Sequence, residues 1–236
     1  MRRTKRLKTP VVIILGPPGS GKGTQAGLLA DYLDIVHLET SAVIERKFRN
    51  AKKGEKVKIE GKVYSLEKEK KMRDAGELMS PPLITFWVKE EIKRLYREEK
   101  GIVFSGSPRT LYEAEKIVPF LEKFYEKKSI KVIFLKLSAK DSIWRNSHRR
   151  SCELMRHPII YNKETKNLKH CPLDGSKLVR RKDDKPEIIK FRLKEYEERT
   201  KPVINYLRKH RFKIFEINGA PPPDKIHKNI LKVLSL

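Results

Sequence analysis

The sequence predicts an α/β fold with a parallel sheet as the middle of three layers and helices on both faces, and three observations predict it. The apolar run at residues 11–15 leads straight into Gly16-Pro17-Pro18-Gly19-Ser20-Gly21-Lys22-Gly23-Thr24, so a strand, a glycine-rich turn and a helix starting near Lys22 follow one another. Further strand-length apolar runs recur at residues 35–38, 102–104, 130–137 and 212–217. Between them, apolar residues stand at helical spacing, first at Ala26, Leu29 and Leu33, then at Ile84, Trp87, Val88, Ile92 and Leu95. Asn218-Gly219 reads as a turn, and residues 226–234 as a terminal helix.

The glycine-rich turn carries the first chemistry. Such a turn leaves backbone N–H groups free at the positive end of a helix, and its glycines let the chain close round a polyphosphate without Cβ clashes. Gly19, Ser20, Gly21, Lys22, Gly23 and Thr24 are therefore candidate triphosphate-binding residues, with Lys22 as a mobile charge over the outer phosphates. The strict phosphate-loop pattern sets Ser or Thr directly after the lysine as a magnesium ligand. Here Gly23 intervenes and the hydroxyl comes at Thr24, so magnesium is expected to be held mainly by phosphate and water.

Composition bounds the rest. A chain of 236 residues suits one α/β core with inserted subdomains. Hydrophobic residues make up 38% and charged ones 36%, the longest apolar runs are strand length, and no secretory core follows the basic start. These features argue against a membrane partner and for the cytoplasm. The net charge of +25 has two readings, a field for polyanionic nucleotides or nucleic acid, and a solvated lysine-rich surface. For any single lysine the solvated reading is the expected one, and nucleic acid is not the expected partner. Residues 1–9 read as a basic tail without hydrophobic period. Cys152 and Cys171 make no disulfide framework, which leaves a metal site or free thiols.

Gly-Pro-Pro-Gly-Ser-Gly-Lys-Gly-Thr-Gln at 16–25 resembles the phosphate loop of adenylate kinases and related nucleoside monophosphate kinases. Ser105-Gly106-Ser107-Pro108-Arg109-Thr110 is similar to the family's Asp-Gly-Phe-Pro-Arg-Thr segment. The strand before it releases Gly106 and Arg109 at its carboxyl end, the side on which an open parallel sheet binds ligands, and a guanidinium fork suits a phosphate. Residues 40–45 and 74–80 resemble the two ends of the family's monophosphate-binding subdomain, with a hairpin at 54–65 that reads as an insertion. Ser138 and Asp141 form a capping box for a helix carrying Arg145 and Arg149 one turn apart. Like charges at that spacing repel, so an anion is expected between them. Residues 151–179 look like the family's long lid, and Arg181, Asp183, Asp184 and Arg192 match its hinge pattern.

The resemblance implies a P-loop NTPase-type kinase in three parts: a discontinuous core (1–39, 81–149 and 185–236), a monophosphate-binding subdomain (40–80) and a lid (150–184). The implied reaction is reversible, Mg2+-dependent phosphoryl transfer, ATP and AMP giving two ADP, by a monomer. Lys22, Arg109, Arg149, Arg181 and Arg192 are the implied catalytic cations, and Arg145 joins Arg149 on ATP, one over the adenine and one on the phosphates. Thr40, Arg46, Glu77, Leu78, Met79, Gly106, Arg109, Glu113, Arg181 and Arg192 are the implied monophosphate contacts. Cys171-Pro172-Leu173-Asp174 is similar to half of the structural zinc site of such lids, but Met155 stands where a second cysteine is usual. Cys152, Cys171 and Asp174 therefore need His157 or His170 to complete four zinc ligands; otherwise packing and polar contacts hold the lid.

Three positions depart from the family pattern. Ser105 replaces an aspartate that holds magnesium-bound water, with Asp183 and Asp184 as substitutes. Glu45 replaces an arginine on the acceptor phosphate, with Arg46 as substitute. Glu113 replaces a glutamine at the adenine edge. An ionised glutamate only accepts hydrogen bonds and guanine offers two donors, so Glu113 in the glutamine's pose would favour GMP. The alternatives are thus a kinase for GMP or CMP, and a catalytically weak nucleotide- or RNA-binding homologue.

Overall fold

The computed structural model describes residues 8–155, 157–180 and 184–235. Strand β1 (Val11–Leu15) is followed by the glycine-rich turn, α1 (Lys22–Leu33) and β2 (Val36–Glu39). The chain continues through α2 (Thr40–Asn50), the hairpin β3 (Lys56–Ile59) and β4 (Lys62–Ser65), and α3 (Leu66–Asp74). Then come α4 (Pro81–Arg97), with its prolines in the first turn where no N–H is needed, β5 (Ile102–Ser105) and α5 (Leu111–Phe124). They are succeeded by β6 (Ile130–Lys136) and α6 (Ala139–His148). Three short strands, β7 (Arg150–Cys152), β8 (Pro158–Ile159) and β9 (Leu178–Val179), precede α7 (Pro186–Glu195), α8 (Pro202–Lys209), β10 (Ile214–Asn218) and α9 (Pro223–Leu234).

The central sheet has the order β10-β6-β1-β5-β2, and every neighbouring pair is parallel. Side chains alternate between its faces. Val11, Ile13, Phe104 and Val132 join one core with Leu83, Val88, Ile117 and Leu207 from α4, α5 and α8. Val12, Ile14, Val103 and Leu135 join the other with Leu29 and Ile230 from α1 and α9. Both faces are covered, which is why the strands read as apolar runs and not as alternation. All five strands end at one edge, so the turns after β1, β2, β5, β6 and β10 gather there.

The hairpin is present where the glycines and alternating residues predict it, antiparallel with Val57 opposite Tyr64. Val57, Ile59 and Tyr64 pack against the first core, while Val63 is exposed. Helices α5 and α8 go beyond the sequence expectations: Pro119 lies inside α5, and α8 is separated from α7 by a wide π turn at Tyr196–Thr200. Among the described residues no helix is long and apolar enough to cross a membrane. The basic tail lies largely outside the described residues, which begin at Lys8.

Candidate active site

The turn after β1 is built to receive an anion. Gly21 is left-handed (φ 89°, ψ 13°) and ends the turn, and no side chain caps the first N–H groups of α1. At Gly19 (φ 75°) a Cβ would stand 2.5 Å from Asn146 Nδ2, so only glycine fits. Helix α6 braces the turn there: Ser142 Oγ donates to Pro18 O at 2.6 Å and Asn146 Nδ2 to Ser142 O at 2.8 Å. Ser20 Oγ is buried without a hydrogen-bond partner, an uncompensated donor in the middle of the turn.

Lys22 Nζ folds back on that turn and donates to Gly16 O and Pro17 O, both at 2.8 Å. Burial first, then the guanidinium groups of Arg109, Arg192 and Arg149, hold its pKa well below the ordinary lysine range. Four of the five predicted catalytic cations thus act on one small volume; the fifth, Arg181, lies outside the described residues together with Asp183. The four side chains are half-buried and Arg149 is paired with Asp184, and the positive charge gathered among them suits a polyphosphate.

The acceptor side converges on the same place. Gly106 has φ 99°, and a Cβ on it would lie 3.0 Å from Arg109 Nη2 and 3.5 Å from Thr40 Oγ1. Thr40, at the end of β2, is therefore beside the turn after β5, and its hydroxyl is buried without a partner. Gly76 packs under Ile188 and Arg192 of α7, and Leu78 N donates to Glu195 Oε2 at 3.5 Å. Glu77 is exposed, whereas the Met79 side chain belongs to the core.

On the other side Arg145 Nη1 donates to Gly219 O at 2.7 Å and Nη2 to Ala220 O at 2.7 Å, tying α6 to the turn after β10. Arg149 makes a two-point ion pair with Asp184, 3.0 Å from Nε and 2.5 Å from Nη2. Each of the two arginines thus has protein acceptors of its own.

Several expectations need correction. Glu113 is 3% exposed, and its carboxylate accepts from Ser107 Oγ at 2.5 Å, Arg109 N at 2.9 Å and Thr110 Oγ1 at 3.3 Å. Burial pushes its pKa up against the opposing pull of these donors. Buried and turned to its own loop, it shapes the segment that presents Arg109 and does not offer its carboxylate to a base edge, which removes the reason to expect GMP. Arg46 pairs with Glu91 of α4, and Glu45 with Arg73 of α3 at 3.0 Å, so Arg73 is the cation drawn in by the Glu45 replacement. Ser105 Oγ lies 2.6 Å from His37 Nε2, and Asp184 is occupied by Arg149. The carboxylate at this edge is Glu39, which faces Ser105 across β2 and β5 in register and is hydrogen-bonded by Ser41. His37, Glu39, Arg73 and Asn146 were not among the sequence candidates. A carboxylate at the carboxyl end of a predicted strand was the signal that could have found Glu39.

The lid segment gathers Cys152, His157, Cys171 and Asp174, whose ligand atoms all lie within 4.8 Å of one another. Cys152 Sγ is 3.0 Å from Asp174 Oδ2 and 3.5 Å from His157 Nδ1, which is 3.6 Å from Cys171 Sγ and 3.2 Å from Asp174 Oδ2. Ligands around a tetrahedral zinc stand about 3.3–3.8 Å apart, so the set fits the ion. His170 is not part of this group, and its backbone forms an isolated β-bridge with Lys177.

A phosphate-binding turn, a facing guanidinium loop and a set of cations at the edge of a parallel sheet define a P-loop phosphotransferase. Comparison with known proteins agrees: the family described as Adenylate kinase matches residues 14–212. The chain is 34% identical over 225 residues to the adenylate kinase of Methanothrix thermoacetophila, covering 95% of this chain and 98% of that one. It is also 34% identical over 227 residues to that of Petrotoga mobilis (94% and 96%), and 32% identical over 227 residues to that of Chloroherpeton thalassium (95% and 97%). The chain belongs to the adenylate kinase family.

Proposed function

We propose that the chain transfers the terminal phosphoryl group of ATP to AMP, giving two ADP, reversibly and with magnesium. The observation that carries this reading is the uncapped glycine-rich turn with Lys22 folded over it, in reach of the positive charge of Arg109, Arg192 and Arg149. Phosphoryl transfer asks the protein mainly for positioning and charge neutralisation, and these residues supply both. The turn N–H groups and Ser20 Oγ take the inner phosphates of ATP, while Lys22 leaves the Gly16 and Pro17 carbonyls for the outer ones. Arg109, with Thr40 and Gly106, takes the acceptor phosphate. Arg192 reaches the transferring group from α7. Arg145 fixes the wall on which the adenine of ATP rests.

Magnesium bound to ATP would supply charge neutralisation between the phosphates. Ser105 and Glu39, side by side at the sheet edge, fit the water around such an ion. Residues 40–80 work as the acceptor-binding subdomain and 150–184 as a lid whose closure excludes water. Cys152, His157, Cys171 and Asp174 hold a structural zinc in that lid. The enzyme works as a cytoplasmic monomer.

The test is an ADP-forming assay with ATP and each of AMP, GMP, CMP and UMP. AMP is expected to be preferred by at least about tenfold in kcat/KM. Absence of transfer to every acceptor, or preference for GMP, would overturn the reading.

A further inference from the structure

At the amino edge of the sheet, opposite the catalytic turns, lies a second basic cleft of about 430 Å³, lined by Lys127, Lys128, Lys131, Arg211, Lys213 and Phe215 among others. The topology brings these residues together. The turn Lys127–Ser129 leads into β6 and residues 211–213 lead into β10, and the two strands are parallel neighbours with Ile214 beside Val132. Strand β6 has seven residues, so the cleft stands about 20 Å from the catalytic edge at roughly 3.3 Å per residue.

The charges are not all spent within the protein. Lys127 pairs with Glu122 and Lys128 with Glu126, each at 3.1 Å. Among the described residues no carboxylate lies within ion-pair distance of Lys131, Arg211 or Lys213. The ring of Phe215, half-buried on edge strand β10, has Lys213 Nζ 5.0 Å from its centre. Lys8 is tied to the same rim, its carbonyl accepting from Ser129 Oγ at 3.0 Å.

A merely solvated lysine surface needs neither a concavity nor an aromatic wall. Unpaired cations beside an aromatic ring in a groove match the chemistry of a phosphodiester strand with exposed bases. A flat anionic bilayer would not enter the groove. We propose that this cleft binds single-stranded nucleic acid, with phosphates on Lys131, Arg211 and Lys213 and a base against Phe215.

The experiment measures fluorescence anisotropy of a labelled twelve-nucleotide oligouridylate across a salt series, with saturating ADP and magnesium to occupy the catalytic site. Binding in the micromolar range at low salt is expected. The triple variant Lys131→Glu, Arg211→Glu, Lys213→Glu should lose at least about tenfold in affinity and flatten the log–log salt slope by about two. Its phosphotransfer rate should be unchanged. Phe215→Ala should weaken the oligonucleotide about fivefold or more without weakening inorganic polyphosphate, which shares the phosphates but has no base to stack. A control with the same charge change, Lys52→Glu, Lys53→Glu, Lys62→Glu, should retain binding. Equal losses in both triple variants, a Phe215→Ala effect that is nil or common to both polyanions, or binding to anionic vesicles without oligonucleotide binding would each overturn the proposal.

Discussion

At the scale of single residues, Lys22 and Glu113 show how burial is used in opposite ways. Lys22 is a cation held among cations until an anion arrives. Lys22→Ala should lower phosphotransfer by about 10²- to 10³-fold, the usual cost of one preorganised charge contact, and leave the far-ultraviolet circular dichroism unchanged. Unaltered turnover would remove Lys22 from the mechanism. Its folded pKa lies below the unfolded value of 10.5, so the unfolded chain binds the extra proton between the two. Its contribution to the stability of the unliganded protein therefore rises with pH across that window, and denaturant titrations of Lys22→Met should lack that rise. Glu113 has the reverse sign. Its folded pKa is raised above 4.5, so its contribution is full below 4.5 and falls as pH climbs through the raised value. Glu113→Gln should show a smaller loss of stability over that window; an identical pH profile would mean that burial does not govern this carboxyl.

Among the elements, the lid and the hairpin differ in what holds them. The lid's own apolar cluster is Cys152, Ile159 and Cys171 with Leu178 against them, and its strands are two or three residues long. So small a core needs a staple. One zinc per purified chain is expected by elemental analysis. Cys171→Ser should lower that content and speed amide exchange over 150–180 while leaving exchange in β1 and β6 unchanged. A metal-free chain with a fully protected lid would contradict the assignment. The hairpin rests instead on ordinary packing of Val57, Ile59 and Tyr64 against the core. Ile59→Ala should cost about 1–2 kcal/mol in urea unfolding, because the side chain is only partly buried.

Across the whole molecule, sequence legibility followed the physics of each segment. The inner strands β1 and β5 could be read because both sheet faces are covered there and each carries a continuous apolar run, while the edge strands β2 and β10 keep polar residues between apolar ones. Helix α4 was legible from its stripe of Ile84, Trp87, Val88, Ile92 and Leu95, whereas the interior Pro119 of α5 broke the pattern that would have announced it. The glycine turn and Arg109 were legible because their spacing is local. Partners brought from another element were not: Glu45 pairs with Arg73 of α3, and Ser105 stands in register with Glu39 of β2, while Glu113 turns inward to its own loop. Residues meeting only through the fold leave no spacing to read.

The proposed reaction requires one geometry, two phosphate chains placed end to end among Lys22, Arg109, Arg149 and Arg192. The most direct measurement is calorimetric titration with a bisubstrate ligand, two adenosines joined by five phosphates, in the presence of magnesium. One molecule should bind per chain, displace both ATP and AMP, and bind far more weakly to Arg109→Ala. A ligand that displaces ATP alone, or that binds Arg109→Ala as tightly as the unaltered chain, would contradict the shared cavity and with it the assigned reaction.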